Sequence, residues 1–143
     1  VVAAVDAAHA AAPKLPLFAG GKSMGGRMTT TAASEGLLDD VSLRGIVCFG
    51  FPLHPAKQPA TTRAAHLANV ATPTLFLQGT RDDLADRTLM RGVVAGLPKA
   101  VFEMHELAGA DHGFAVLKSS GRSGAEVLAE AADVAAGFIR ERS

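Results

Sequence analysis

Phe18-Ala19-Gly20-Gly21-Lys22-Ser23-Met24-Gly25-Gly26-Arg27 is the stretch that decides the fold. Upstream of the turn, Leu15 to Ala19 reads as a short buried strand, and downstream, Met24 to Ser34 reads as a helix. Between them, Gly21-Lys22-Ser23-Met24-Gly25 fits G-x-S-x-G, a strand-to-helix elbow. Such a turn holds its central serine in strained backbone geometry and lifts the hydroxyl clear of the sheet. A side chain two positions before or after the serine is expected to collide where strand and helix cross. That accounts for Gly21 and Gly25, and Gly20 and Gly26 widen the clearance. Gly20-Gly21-Lys22-Ser23 also matches the end of a phosphate-binding loop. That loop needs a glycine five positions before the glycine of GKS, where this chain has Pro16. The residues between are strand-like and apolar, so no flexible loop is left to wrap a phosphate.

Outward from the elbow, strands and helices alternate. Val1 to Ala12 reads as a helix with Val1, Val2, Val5 and Ala8 on one face, ended before Pro13 by the steric restriction that proline imposes. After the elbow helix stops near Gly36, Leu43 to Phe49 reads as a strand apolar on both faces, as in a buried parallel sheet. A proline-rich loop, Gly50 to Gln58, and a short helix, Thr61 to Asn69, lead to a third strand, Thr74 to Gln78. A helix from Leu84 to Gly96 follows, with Leu89, Val93 and Leu97 inward, then a fourth strand, Val101 to Leu107. The last helix, about Gly124 to Arg142, carries Leu128, Ala131, Val134, Ala135, Phe138 and Ile139 at helical spacing. This order predicts an α/β fold with three layers, α/β/α, around a mostly parallel sheet with right-handed crossovers.

Composition narrows the function. The chain has 143 residues, one domain's worth, with 48% hydrophobic and 20% charged residues and a formal net charge of zero. A neutral chain without a basic patch argues against nucleic acid and anionic membrane as partners. Cys48 is the one cysteine and cannot form an internal disulfide, which fits a reducing, cytoplasmic setting. No apolar run reaches transmembrane length and no signal-peptide pattern opens the sequence. The five histidines are too scattered to form a metal site, and no cofactor is expected. There is no initiator Met and no N-cap residue before the first helix. Residues 1–143 therefore read as a single domain that is incomplete at its N-terminus.

In a parallel sheet the functional loops follow the C-terminal ends of the strands. Here those ends are followed by Ser23, by Phe51-Pro52-Leu53-His54-Pro55, by Asp82 and by His112. One rim thus carries a serine, a carboxylate and a histidine, in the chain order that G-x-S-x-G hydrolases use. The chemistry needs these types. A serine hydroxyl becomes a nucleophile when an imidazole takes its proton. The imidazole needs an acceptor on its other nitrogen to fix its tautomer. The oxyanion that forms needs preorganised N–H donors, and the backbone N–H of Met24, next after the serine, is expected to be one. Asp82 is preferred to Asp83 as the acid, because it holds the G-x-x-D position and Asp83 is better placed to cap the next helix. Lys22, His54 and Phe114 lie on the same rim and are further candidates for substrate contact, Lys22 toward an anionic group; a solvated lysine and a structural hydrogen bond of His54 between the prolines are the alternative readings. His9, His66 and His105 read as surface positions, Cys48 as packing, and Asp111 as facing solvent.

The elbow, Gly79-Thr80-Arg81-Asp82 and Ala110-Asp111-His112-Gly113 together resemble the α/β-hydrolase superfamily. More narrowly, Phe49-Gly50-Phe51-Pro52-Leu53-His54-Pro55 with Leu77-Gln78-Gly79-Thr80-Arg81-Asp82 is similar to small predicted hydrolases related to dienelactone hydrolases. That group shares its domain with a subunit of the NSL histone-acetyltransferase complex. The resemblance covers essentially the whole chain. It implies the C-terminal part of the hydrolase fold, strands 5 to 8, without the earlier loop that supplies a second oxyanion donor. It also implies a serine esterase acting through an acyl-enzyme on a small ester or acyl compound, with a non-catalytic interaction module as the alternative. The first strand here would then be a sheet edge, open to a second copy of the chain.

Overall fold

The computed structural model describes residues 1–143. Four strands, β1 (Leu17–Lys22), β2 (Leu43–Phe49), β3 (Thr74–Gly79) and β4 (Phe102–Leu107), form one sheet in the order β1-β2-β3-β4. Every neighbouring pair is parallel. Each crossover carries helical structure: α2 (Met24–Ser34) after β1, a 3₁₀ helix (Thr62–Asn69) after β2, and α3 (Arg87–Ala95) after β3. Helix α1 (Val2–Ala11) precedes the sheet and α4 (Gly124–Arg140) follows it.

Residues alternate between the two faces of the sheet, and each face has its own core. Ile46, Cys48 and Phe76 pack with Phe51, Leu67, Met90 and Phe102 under α3 and the 3₁₀ helix. Val47, Leu75 and Leu77 pack on the opposite side with Phe114, Val127, Ala131 and Phe138, the last three from α4. Full burial of a side chain of this size contributes about 1.5–3 kcal/mol. Helix α4 can lie close because Gly45 leaves room: a Cβ there would sit 2.6 Å from the Phe138 ring. A third, smaller cluster joins Val5 of α1 to Ala32, Leu38 and Val41. The result is the expected three-layer arrangement, with α4 on one face and the other helices on the opposite one.

Several element boundaries differ from the sequence reading. Strand β1 begins two residues later, at Leu17, and runs through Gly20, Gly21 and Lys22, which were assigned to the turn. These residues pair with Val47, Cys48 and Phe49. Gly20 is indispensable to that pairing, since at its φ of +155° a Cβ would stand 2.0 Å from the Val47 carbonyl oxygen. Helix α3 starts at Arg87 rather than Leu84, because Leu84 and Ala85 donate their N–H groups to Asp82 in the preceding turn. Its cap is Asp86, whose carboxylate accepts from Leu89 N–H, and not Asp83. On α4 the buried residue is Val127, whereas Leu128 is 57% exposed. A capping box between Ser123 and Glu126 sets the start of that helix and so its rotation.

Ion pairs tie the outer elements to the sheet. Glu106 of β4 receives Arg87 and Arg91 of α3, which hold its carboxyl down to about 2. His105, expected on open surface, forms a 2.6 Å pair with Glu130 between β4 and α4. His66 is likewise half-buried, bonded to Thr30 of α2, and burial pushes its pKa down. No helix is long and apolar enough to cross a membrane.

Candidate active site

The strand ends Lys22, Phe49, Gly79 and Leu107 fall on one rim through the registers Lys22↔Phe49, Phe49↔Leu77 and Gly79↔Leu107. Ser23 follows the first of them. Its backbone has φ 52° and ψ −117°, a left-handed conformation that costs a non-glycine residue about 1–3 kcal/mol. Ser23 N–H donates to the Phe49 carbonyl at 2.9 Å, and its own carbonyl accepts from Arg27 N–H. The strain is thereby held by β2 on one side and by α2 on the other. Met24 is the first residue of α2, where a backbone N–H has no intrahelical acceptor.

Three side chains meet above this turn. Ser23 Oγ lies 2.8 Å from His112 Nε2. His112 Nδ1 lies 2.8 Å from Asp82 Oδ2. The Asp82 side chain is fully inaccessible, whereas His112 keeps 26% of its side chain open. With Asp82 as acceptor, the imidazole carries its proton on Nδ1 and turns Nε2 toward the serine hydroxyl as an acceptor. The arrangement can therefore take a proton from Ser23 while the resulting imidazolium stays paired. Asp83 is exposed and takes no part.

The histidine loop is built by a residue that the sequence placed in solvent. Asp111 Oδ1 accepts from Gly113 N–H at 2.8 Å and Ala115 N–H at 2.9 Å, closing a side-chain turn around His112. The strand end beneath is Gly79, where a Cβ would lie 2.5 Å from the Ala110 carbonyl oxygen, so the loop can rest directly on β3. The signal was present in Asp111-His112-Gly113, an Asx-turn pattern. Gln78 was missed as well: it is a buried amide bonded to both Asp82 and the turn after β2. A lone polar residue ending an apolar strand was its signal.

The three further candidates for substrate contact each have partners within the chain. His54 is buried, with Nδ1 at 2.9 Å from the Pro55 carbonyl and Nε2 accepting from Asp86 N–H at 2.7 Å. Both nitrogens are spent on fixing the proline loop to the start of α3. Phe114 is buried in the core under α4 despite its φ of 68°. Lys22 Nζ donates to the His112 carbonyl and stands 4.4 Å from the centre of the Phe114 ring. The side chain stays exposed, but its ammonium is engaged by the histidine loop. Partial burial pushes its pKa down, opposed by the charges of Asp82 and Asp111. Cys48 is fully buried, as expected for a packing residue, and burial pushes its thiol up to about 12. No group of three or more His, Cys, Asp or Glu side chains could hold a metal ion.

A concavity of about 540 Å³ runs along the open side of β1 rather than over His112. Val5, Phe18, Gly20, Val47, Phe49 and Ile139 line it, and it reaches Gly21 and Gly25 of the elbow.

Solved structures share this fold. An alpha-beta serine hydrolase homologue from Coxiella burnetii superposes with a TM-score of 0.62 at 15% identity, over 99% of this chain and 56% of its own. A monoacylglycerol lipase from Paleococcus ferrophilus gives 0.59 at 13% identity, over 79% of this chain and 66% of its own. Est1E from Butyrivibrio proteoclasticus, solved with ferulic acid bound, gives 0.59 at 13% identity, over 99% and 67%. The chain thus spans little more than half the length of the Coxiella protein. At these identities the likeness is one of fold. The family model described as an alpha/beta hydrolase domain matches residues 1–140, nearly the whole chain, and with the parallel sheet and the G-x-S-x-G elbow in place, this chain belongs to the alpha/beta hydrolase family.

Proposed function

We propose that this chain carries the nucleophile, base and acid of a serine esterase acting on small esters or related acyl compounds. The observation that carries the reading is the continuous path Ser23 Oγ, His112 Nε2, His112 Nδ1, Asp82 Oδ2, with 2.8 Å at each hydrogen bond. In the proposed reaction Ser23 Oγ attacks the acyl carbon as its proton passes to His112 Nε2. Asp82 pairs with the imidazolium, and Met24 N–H donates to the oxyanion. The carbon–oxygen bond to the leaving alcohol then breaks, and the alcohol departs with the proton held by His112. Water, deprotonated by the same imidazole, attacks the Ser23 acyl-enzyme, releases the acid and restores the serine.

Two features support an ester over a larger substrate. The loop holding His112 carries no long insertion and runs directly into the Lys118–Ser120 turn and α4. The relatives in fold include proteins described as an esterase and a lipase. Kinship with the dienelactone-hydrolase-like group rests on the Phe49–Pro55 and Leu77–Asp82 motifs. We place the single unit of residues 1–143 in the cytoplasm, in keeping with its one reduced thiol, and assign it a small-molecule substrate. The proposed protein partner is a second copy at the open side of β1.

A fluorophosphonate probe tests the reading directly. Ser23 is expected to take the label, His112→Ala to abolish labelling, and Ser23→Ala to lower ester turnover by on the order of 10⁴-fold or more. A folded protein whose Ser23 stays unlabelled overturns it. So does turnover that survives Ser23→Ala.

A further inference from the structure

Gln78 is the penultimate residue of β3, a strand in which every residue is buried. An amide in such a place costs about 1–3 kcal/mol if a polar atom is left unpaired. Neither end is. Oε1 accepts from Phe51 N–H at 2.9 Å, and Nε2 donates to Asp82 Oδ2 at 2.7 Å. The orientation of the amide is determined by these partners: reversed, its NH₂ would face the Phe51 N–H and its oxygen would face a carboxylate. Asp82 Oδ2 is the same oxygen that receives His112 Nδ1. The other oxygen, Oδ1, accepts from Leu84 N–H at 2.8 Å. Gln78 therefore links the turn after β2 to the carboxylate after β3, and through it to the imidazole after β4.

We infer that Gln78 is a positioning residue for the Asp82–His112 pair, an inference that rests on the esterase reading above. Leu84 N–H alone lets the carboxylate swing about its Cβ–Cγ bond. The second donor, on Oδ2, fixes the carboxylate plane and so the direction in which Oδ2 meets Nδ1. The imidazole of His112 inherits that direction, and Nε2 is aimed at Ser23 Oγ. Because Oε1 is anchored to Phe51, the amide cannot turn away when the imidazolium forms.

Two substitutions separate positioning from packing. Gln78→Met keeps the length and volume of the side chain and removes both polar partners at every pH. It is expected to lower kcat by roughly 10–10²-fold, in line with an ångström-scale misplacement, with KM changed less than about twofold. Gln78→Glu restores the donor only while the new carboxyl is protonated. Its kcat is expected to approach the wild-type value at the acid end of the profile and to fall steadily as pH rises, because an ionised carboxylate then faces Asp82 Oδ2. The ring-nitrogen chemical shifts of His112, read by NMR, need no turnover: they should move in Gln78→Met, and in Gln78→Glu they should move with pH. Wild-type kcat and His112 shifts in Gln78→Met overturn the inference. So does a Gln78→Glu profile that parallels the Gln78→Met one. If Ser23 takes no probe in the wild type, the esterase reading fails separately, and the His112 shifts still decide the role of Gln78.

Discussion

At the scale of single residues, the rim separates groups free to react from groups already committed. Ser23 and the exposed part of His112 are free; His54, Phe114 and Lys22 are committed, though their types and positions suggested substrate contact. Lys22 is the clearest case. Its ammonium bridges the end of β1 to the His112 carbonyl and rests on the Phe114 ring, so it holds the histidine loop against the elbow. A cation over an aromatic face contributes about 0.5–1 kcal/mol where solvent has access. Lys22→Met is therefore expected to lower kcat about tenfold through a looser His112, within the reach of small misplacements. The preference between neutral and carboxylated esters should stay as it is. Steady-state kinetics on a matched ester pair check both halves; a selective loss on the carboxylated ester would return Lys22 to the substrate. Sequence alone could not separate these cases. Ser23, Asp82 and His112 are legible because chemistry restricts their types and topology restricts their strand ends. The partner of a lysine or of a second histidine depends on which loop folds over it, and that information is spread over distant residues.

At the scale of elements, the elbow shows which part of a motif is geometry and which is not. Gly25 completes G-x-S-x-G, yet a Cβ there would meet nothing within 4 Å. At Gly26 it would come within 2.8 Å of the Gly21 carbonyl oxygen and 3.1 Å of Cys48. Helix α2 thus crosses β1 and β2 on Gly26, and the collision expected at Gly25 belongs one residue further on. Gly26→Ala should destabilise the fold by about 1–3 kcal/mol through overpacking. Gly25→Ala should leave stability unchanged or raise it by about 0.5–1 kcal/mol, since alanine replaces glycine within a helix. Thermal unfolding of the two variants checks the order, and equal losses would mean that both positions are crowded. Strand β2, apolar on both faces, and helix α2, whose start is fixed by the elbow, are readable to the residue in sequence. Boundaries set by side-chain hydrogen bonds or by close backbone approach are not. Glycines 20 and 21 look like a turn and pair as a strand, and Leu84 looks helical but serves Asp82.

At the scale of the whole molecule, the two edges of the sheet differ in character: β4 carries charged residues, and β1 borders an apolar groove. Strand β4 pairs only with β3, and the charged Arg142–Glu103 pair lies on it. Strand β1 pairs only with β2, and an apolar groove of about 540 Å³ follows its free side. A row of unpaired backbone groups beside apolar surface is a template for another strand. A second copy of this chain suits it. Two β1 strands related by a two-fold axis would run antiparallel, and a register that keeps opposed side chains on one face sets Leu17 opposite Gly21, Phe18 opposite Gly20 and Ala19 opposite Ala19. That register puts the two lysines at opposite ends, and Leu17 and Phe18 each face a glycine. Isologous pairing of this kind closes at two copies, since each protomer has used its one β1 edge. The expected outcome is a dimer whose population rises with concentration in sedimentation velocity. The amide protons of Leu17 to Lys22 should exchange more slowly as the dimer fills. A single monomeric boundary across the accessible concentration range, with fast exchange along β1, would show that the edge is left to solvent.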